Sequence, residues 1–248
     1  MPLPWREKFA MLEPPSWFYG RRIAYEAASG EPELSVLGEL MRPGGTAVDI
    51  GANQGFFAFA LSRLASRVIC FEPNPDYAGF ARWMLRGRAE VHMLALADKA
   101  GRGTFHVPHA DDGMVLHLAG SLKRTHSAQF KTIQTYEVDI RTLDEFALTD
   151  VRFIKADVEG SEREVLEGAR ATIARERPPI LLELLSGTHA DPGALTAEIC
   201  QSFGYDAVLV QKGKKLPALP IIASLGKNTT WGTDFESRNV LFLPQGSS

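Results

Sequence analysis

The stretch that decides the fold is Thr46–Pro73, which reads TAVDIGANQGFFAFALSRLASRVICFEP. An apolar run carries Asp49 near its end and leads into a glycine-containing turn and a second apolar segment. A further apolar run, Val68–Phe71, ends at Glu72. This order predicts a strand, a turn, a helix and a second strand. It is the βαβ unit of Rossmann-like folds, which bind an adenosine-containing cofactor at the glycine turn.

The turn indicates which cofactor fits. It reads Gly51-Ala52-Asn53-Gln54-Gly55, so it lacks the G-x-G-x-x-G pattern of nicotinamide and flavin sites. It holds no basic residue, and Asp49 before it would repel a pyrophosphate and attract an ammonium group. S-adenosylmethionine has an ammonium group, a ribose diol and no phosphate. Glu72, 21 residues after Gly51, is positioned to accept both ribose hydroxyls. The pattern favours S-adenosylmethionine, with a purely structural turn as the alternative.

Composition limits the class of protein. The chain has 248 residues, of which 45% are hydrophobic and 23% are charged, as expected for one α/β domain with modest additions. The formal net charge of −3 argues against nucleic acid or an anionic membrane as a partner. Cys70 and Cys200 form no disulfide framework, which suits a reducing cytosol. The sequence contains no secretory signal pattern and no long apolar window, so we expect a cytoplasmic protein without a membrane segment.

Residues 1–40 are predicted to form a helical N-terminal arm that precedes a domain of residues 41–248. Pro14 and Pro15 divide the arm into two pieces. Its aromatic residues are Trp5, Phe9, Trp17, Phe18 and Tyr19. Two roles are open for the arm: packing on the domain, or forming a lid or substrate-side wall over the cofactor site.

The rest of the chain continues the alternation of strands and helices, which predicts a mostly parallel sheet with helices on both faces. The predicted strands are 91–98, 104–107, 178–185, 205–210 and 239–244, together with 135–146, a strand that leads into a short helix, and 151–160, a strand with its turn. The predicted helices are 76–86, 161–175 and 191–203. Ser161 and Glu164 have the spacing of a capping box. The last two strands are expected to supply an antiparallel edge.

Residues 108–135 follow no periodicity, so they are predicted to form a long loop or insertion, as functional segments often do. Their histidines and acids are His109, Asp111, Asp112, His117 and His126. The spacing of these residues matches no zinc or iron pattern, which favours surface polar residues over a metal site.

A second polar cluster lies in IKADVEGSE, residues 154–162. Lys155 and Asp157 are two residues apart in a predicted strand, so they share one face. Glu183 lies towards the carboxyl end of the next strand. Ligands of open α/β sheets bind at these strand ends, where the strand order reverses. We expect that point between this strand and the strand that carries Asp49.

A lysine in an apolar strand needs a partner, so the roles of this cluster are open in three ways. Lys155 would form a structural ion pair, or desolvation would lower its pKa and make it a general base. Alternatively, Asp157 and a neighbouring group would take a hydroxyl proton, with or without a divalent ion. His109 and His117 are weaker candidates for the base.

Six segments, taken in order, resemble the FkbM family of S-adenosylmethionine-dependent methyltransferases. They read VDIGANQGFFAFAL, CFEPNP, LALADKAGRGTF, TLDEF, FIKADVEGSEREVLEGA and PPILLEL, within residues 31–185. The resemblance implies a class I methyltransferase fold, with a seven-stranded sheet that includes an antiparallel strand. It also implies O-methylation of a hydroxyl group on a sugar, glycan or secondary metabolite.

The resemblance further implies which residues bind the cofactor. On the methionine and ribose side these are Asp49, Gly51, Ala52, Asn53 and Gly55. Around the ribose and adenine they are Glu72, Pro73, Asn74, Ala95 and Leu96. Glu31 matches a position that is often acidic in the family. The catalytic candidates are Asp157, Lys155 and Glu183. No metal ligand is predicted, although a divalent ion is left open.

We therefore expect an O-methyltransferase in which the acceptor oxygen attacks the sulfonium methyl in line, with proximity and orientation as the main source of rate. Its partner would be a small molecule or glycan, without nucleic acid or membrane, and a homo-oligomer is left open. The rivals are a nucleic-acid methyltransferase on the same fold, a nicotinamide dehydrogenase and a non-catalytic S-adenosylmethionine-binding module. The arm and the 108–135 segment would select the acceptor.

Overall fold

Strands and helices alternate along the chain, as predicted. The computed structural model describes residues 11–29, 31–109, 120–123, 132–185, 189–224 and 237–246. Its strands are β1 (Thr46–Ile50), β2 (Arg67–Phe71), β3 (Glu90–His92), β4 (Ala95–Leu96), β5 (Gly101–His109), β6 (Thr132–Arg141), β7 (Val151–Ala156), β8 (Ile180–Glu183), β9 (Tyr205–Gln211), β10 (Lys214–Pro217) and β11 (Asn239–Pro244). Its helices are α1 (Pro15–Ser29), α2 (Glu33–Leu40), α3 (Phe56–Leu61), α4 (Pro75–Met84), α5 (Glu162–Glu167), α6 (Arg170–Glu176), α7 (Pro192–Phe203) and α8 (Ala218–Ser224).

Eight of the described strands form one sheet, in the order β3-β2-β1-β7-β8-β11-β9-β10. Five neighbouring strands, β3, β2, β1, β7 and β8, pair in parallel. The strand order reverses between β1 and β7, since β2 and β3 lie beyond β1 and β8 lies beyond β7. The predicted α/β fold and its switch point are thus confirmed, and the carboxyl ends of β1 and β7 flank that point.

Two details of the predicted sheet are wrong. The main sheet has eight described strands instead of seven, because β10 pairs with β9 across a hairpin whose turn residues Lys212 and Gly213 have φ of 49° and 71°. The antiparallel strand β11 lies between β8 and β9 instead of at the edge. Val240, Leu241 and Phe242 are fully buried, as suits a strand that is covered on both faces.

A second sheet was not predicted. β4, β6 and β5 form it in that order, with β5 and β6 antiparallel over residues 101–109 and 132–141. The predicted strand 91–98 therefore divides between two sheets, with β3 in the main sheet and β4 in the second. Residues 110–119 and 124–131 lie outside the described residues, so the expectations for Asp111, Asp112, His117 and His126, and for the side chain of His109, do too.

Alternate residues of the inner strands point to opposite faces of the main sheet. On one face Val48 and Ile154 pack with α6 and α7, and on the other Ala47 and Phe153 pack with α1 to α4. All four side chains are buried, so β1 and β7 form nearly continuous apolar runs in the sequence. The prediction of helices on both faces is confirmed.

The N-terminal arm packs on the domain. Tyr19 of α1 is fully buried, its ring stacks on Phe59 with centroids 4.7 Å apart, and its hydroxyl donates to the Gln54 carbonyl over 2.7 Å. Leu37 and Leu40 of α2 are buried in the same core. The arm therefore packs against the glycine turn and holds it in place. Trp5 and Phe9 lie outside the described residues.

The predicted helix 161–175 is divided into α5 and α6, and its capping box is absent. Ser161 makes no capping hydrogen bond with its side chain. Gly168, between the two helices, packs so closely that a Cβ there would lie 2.0 Å from the Ala97 carbonyl oxygen. Among the helices of the described segments, none has the length and apolar character needed to cross a membrane.

Candidate active site

A cavity opens at the carboxyl edge of the main sheet, at the switch between β1 and β7. Its lining comes from the carboxyl ends of β1, β2, β7 and β8, from the segments that follow the first three, from the residue before β11, from α1, and from the second sheet. Residues distant in sequence meet there because parallel strands end at a common edge. The cavity is the candidate site.

Glu72 forms one fixed wall of the cavity. Its two carboxylate oxygens accept backbone N–H groups from Asn53 and Asn74, over 2.7 and 2.8 Å. Burial raises the pKa of Glu72 to about 7. The side chain is thus held by the glycine turn and by the segment after β2, while Pro73 beside it also lines the cavity. Asn74 instead caps α4, where its Oδ1 accepts from Asp76 N over 3.0 Å.

The glycine turn lies beside Glu72 and supplies backbone to the cavity. Gly51, Ala52 and Asn53 line it, whereas Gly55 forms the N-cap of α3 outside the lining. Gly51 has φ of 73°, and a Cβ there would lie 1.8 Å from the Asp157 carbonyl oxygen. A glycine is therefore required at this position because the backbone after β7 passes so close to it, whether or not a ligand also approaches the turn.

Asp49 lies beneath the cavity and is not one of its lining residues. It is fully buried, and its Oδ1 lies 3.9 Å from Lys155 Nζ, on the paired strand β7. Burial raises the pKa of Asp49 to about 6, although Lys155 opposes the change. In this position the carboxylate faces Lys155.

The predicted pair Lys155 and Asp157 is present at the exit of β7, with Nζ 3.2 Å from Oδ2. Burial by itself would lower the pKa of Lys155, but Asp157 and Asp49 outweigh it and the pKa is raised. Lys155 therefore keeps its proton at neutral pH. The hypothesis that desolvation makes Lys155 a general base is wrong, because burial brings the compensating carboxylates with it.

Asp157 and Glu183 are neighbouring carboxyl groups, with oxygens within 4.8 Å of each other. Burial raises the pKa of Glu183 well above its ordinary value, and Asp157 raises it further. Burial opposes ionisation of Asp157 too, but Lys155 and the hydrogen bond from Glu183 hold its pKa below the usual range. The pKa of Asp157 is therefore shifted down and that of Glu183 up.

Sequence reasoning placed Glu159 at this strand end without assigning it a role, and it missed Arg238 as a cavity residue. Burial, together with Asp157, raises the pKa of Glu159 to about 8. Arg238 lies just before β11, and its Nε is 3.4 Å from Glu183 Oε1. Oxygens of Asp157, Glu159 and Glu183 lie within 4.8 Å of one another, a spacing that suits a divalent ion. Because Lys155 already contacts Asp157 and Arg238 already contacts Glu183, we assign no metal there.

The remaining walls come from segments distant in sequence. Leu94, Ala95 and Leu96 line the cavity, as the latter two were predicted to do, and Phe105 and Leu122 add apolar surface from the second sheet region. No sequence pattern around these last two positions signalled the contact, since the second sheet itself was not expected.

On the other side, α1 contributes Arg22 and Glu26, and Glu31 follows it. Glu31 is buried and accepts a hydrogen bond from the Asn239 amide of β11. Burial raises the pKa of Glu31 to about 8. The arm therefore forms a wall of the cavity as well as packing on the domain.

A mostly parallel sheet with an antiparallel β11 between β8 and β9, and a carboxylate-lined cavity at its switch point, define a class I methyltransferase fold. The family described as the methyltransferase FkbM domain matches residues 49–207. The chain belongs to the FkbM methyltransferase family.

One relative agrees with this assignment, and one solved structure agrees with the fold. The chain is 28% identical to the 2-O-methyltransferase NoeI of Sinorhizobium fredii (strain NBRC 101917 / NGR234) over 173 residues, which cover 64% of this chain and 71% of that protein. It resembles the crystal structure of methyltransferase FkbM from Methylobacillus flagellatus KT, with a TM-score of 0.52 and 20% identity. That match covers 82% of this chain and 48% of the other, so the chain spans about half the length of that protein.

Proposed function

We propose that the protein is an S-adenosylmethionine-dependent O-methyltransferase that acts on a hydroxyl group of a small molecule, either a sugar or glycan or a secondary metabolite. The observation that carries the proposal is the carboxylate-lined cavity at the switch point of a chain from a methyltransferase family. The name of the relative NoeI, a 2-O-methyltransferase, supports oxygen as the acceptor atom.

The residues present fit the donor. Glu72 is aligned by two backbone N–H groups and has lone pairs left for a ribose diol, and Leu94–Leu96 supply apolar surface for an adenine. When bound, S-adenosylmethionine supplies a methyl group that its sulfonium already activates. The lining also offers carboxyl oxygens that can accept hydrogen bonds from the ammonium of such a ligand. These carboxyl groups belong to Glu26, Glu31, Glu72, Asp157, Glu159 and Glu183.

The catalytic residues would be those at the exit of β7. Asp157 accepts the proton of the acceptor hydroxyl and orients its oxygen for in-line attack. Lys155 keeps Asp157 ionised, and Glu183 donates a hydrogen bond that fixes its carboxylate. Lys155 thus acts through Asp157, as an electrostatic and positioning residue.

A methyl-transfer screen with labelled S-adenosylmethionine tests the proposal. Sugars, short glycans and hydroxylated secondary metabolites form the acceptor panel, and structured RNA is included as a rival substrate. We expect label in an alkali-stable ether of one hydroxyl compound, and S-adenosylhomocysteine as the second product. Label in RNA alone would contradict the proposed substrate class. Tight binding of S-adenosylhomocysteine without transfer to any acceptor would instead favour a non-catalytic binding module.

A further inference from the structure

Arg22 of α1 is a cation whose hydrogen-bonding capacity is only partly used. Its Nη2 lies 2.6 Å from Glu26 Oε1, one helical turn away, and its guanidinium carbon lies 5.6 Å from the centre of the Phe56 ring. Its Nε is buried and has no hydrogen-bond partner among the described residues. A buried N–H without a partner costs free energy, so such a group on a cavity wall is suited to a ligand.

The position of Arg22 in the cavity is set by the course of α1. Near its start the helix contacts α4, where the rings of Phe18 and Phe80 lie 5.6 Å apart. After its end the chain reaches Glu31, which is hydrogen-bonded to Asn239 of β11. Arg22 and Glu26 therefore lie between the contact with α4 and the contact with β11, and both line the cavity. A donor whose ribose binds Glu72 would extend its amino-acid portion past the glycine turn towards them.

We infer that Arg22 binds the carboxylate of the methionine portion of the donor, an inference that rests on the proposed function. A guanidinium presents two parallel N–H groups that match a carboxylate, and the free Nε is one of them. Glu26, and Glu31 beyond it, provide carboxyl groups for the neighbouring ammonium. The Arg22–Glu26 pair is thus complementary to an amino-acid zwitterion.

Arg238 also lines the cavity, but its guanidinium already lies against another carboxyl group. Its guanidinium lies 3.4 Å from Glu183, and the carboxyl groups of Glu183, Glu31 and Asp157 raise its pKa, against the effect of burial. It belongs to the catalytic cluster at the exits of β7 and β8. Arg22, which contacts Phe56 directly after the glycine turn, is the better match for the tail of the donor.

The test uses two ligands that differ only in the carboxylate: S-adenosylhomocysteine and its decarboxylated analogue, S-adenosyl-3-thiopropylamine. Calorimetry gives Kd for the wild type, for Arg22→Gln and for the control Arg21→Gln. Arg21 is the adjacent arginine, 63% exposed and paired with Glu13. For Arg22→Gln we expect Kd of S-adenosylhomocysteine to rise roughly 10- to 100-fold and that of the analogue less than about threefold. Arg21→Gln is expected to change neither.

Three results would overturn the inference. An equal loss for both ligands would mean that Arg22 only shapes the cavity, and no loss would mean that the carboxylate binds elsewhere. A carboxylate-specific loss in Arg238→Gln, but not in Arg22→Gln, would assign the contact to Arg238. Thermal unfolding of each variant without ligand shows whether it is folded, and Arg22→Lys is the second variant if Arg22→Gln is not. A wild type that binds neither ligand would contradict the proposed donor itself, a distinct outcome.

Discussion

At the scale of single residues, the site depends on buried carboxyl groups whose charges differ. Asp157 is kept ionised by Lys155, while Glu72 and Glu183 have raised pKa values because they are buried. In the proposed mechanism the three groups have different roles, with proton acceptance for Asp157, recognition of a diol for Glu72 and a hydrogen bond to Asp157 for Glu183.

Replacing Asp157 with Asn tests its role as the base. The amide keeps the size of the side chain but cannot take a proton, so we expect kcat to fall about 10²- to 10⁴-fold. Kd for S-adenosylhomocysteine should change less than about threefold, because other groups hold the donor. Steady-state kinetics and calorimetry give the two values. Asp139→Asn, at an exposed position of β6, is the control; equal activity of both variants would remove Asp157 from the mechanism.

Replacing Glu72 with Gln tests ribose recognition. The amide can still accept from one backbone N–H, but its NH₂ group faces the other, so binding of a diol is impaired and the turn is strained. We expect Kd for S-adenosylhomocysteine to rise roughly tenfold or more, measured by calorimetry. Glu90→Gln, at an exposed residue of β3 paired with Arg67, should leave Kd unchanged. An unaltered Kd in Glu72→Gln would show that the ribose lies elsewhere.

At the scale of elements, the loop between β7 and α5 is held from two sides. The Glu162 carboxylate accepts backbone N–H groups of Val158 and Gly160, each over 3.1 Å, and His189 Nε2 lies 2.7 Å from it. Ser121 Oγ donates to the Glu159 carbonyl over 2.9 Å. Glu159, with φ of 51°, is kept in the left-handed region by these contacts, and the loop presents Asp157 and Glu159 to the cavity.

We predict that Glu162→Gln destabilises this loop and leaves the binding of the donor unchanged. The NH₂ group of the amide would face either the loop N–H groups or His189, where the carboxylate now accepts hydrogen bonds. The loss of an acceptor should lower the free energy of unfolding by about 1–3 kcal/mol. We expect kcat to fall at least about tenfold, since small displacements of catalytic groups are costly, while Kd for S-adenosylhomocysteine changes little. Glu167→Gln, on the exposed side of the same helix, is the control. Wild-type kcat with reduced stability would indicate a purely structural role.

At the scale of the whole molecule, elements from both ends of the chain meet around one acidic cavity. Glu31 accepts a hydrogen bond from Asn239 and Glu33 accepts one from Ser237, in each case from a residue more than 200 positions away. Burial raises the pKa of both, to about 8 for Glu31 and about 7 for Glu33. The protein therefore holds carboxyl groups that are easier to bury neutral than charged, and its stability should depend on pH.

The sign of this dependence follows from the raised pKa values. Between about pH 4.3, where glutamate titrates in the unfolded chain, and pH 8, the folded state binds more protons than the unfolded state. Stability is then fully present at the low end of this window and falls as pH rises through 7 to 8, by up to about 1.4 kcal/mol per pH unit for each such group. Thermal unfolding without ligand should show Tm lower at pH 8 than at pH 6.

A matched pair of variants identifies the groups responsible. Glu31→Gln removes one buried titrating group, so its Tm should fall less steeply with pH than that of the wild type. Glu39→Gln, at an exposed position of α2, should keep the wild-type slope. A Tm that rises from pH 6 to pH 8 in the wild type would contradict the assignment of neutral buried carboxyl groups.

Much of the segment from β1 to Glu72 was predictable from the sequence, because its features are local. The βαβ unit follows from apolar runs on either side of a glycine turn, and Glu72 follows its strand directly. Lys155 and Asp157 share a strand face because side chains alternate with a period of two. The position of β11 between β8 and β9 could not be predicted, since strand order depends on which faces the packed molecule buries.

The sequence by itself thus determined the α/β class, the glycine turn and the order of the acids along the chain, because backbone preference and residue period act over a few positions. Only the tertiary structure decided which charges meet. It set Lys155 among carboxylates that raise its pKa, brought Arg22 and Arg238 to one cavity, and made Gly51 necessary beside the Asp157 carbonyl. These outcomes depend on contacts between distant segments, which form only when the faces of the sheet are buried.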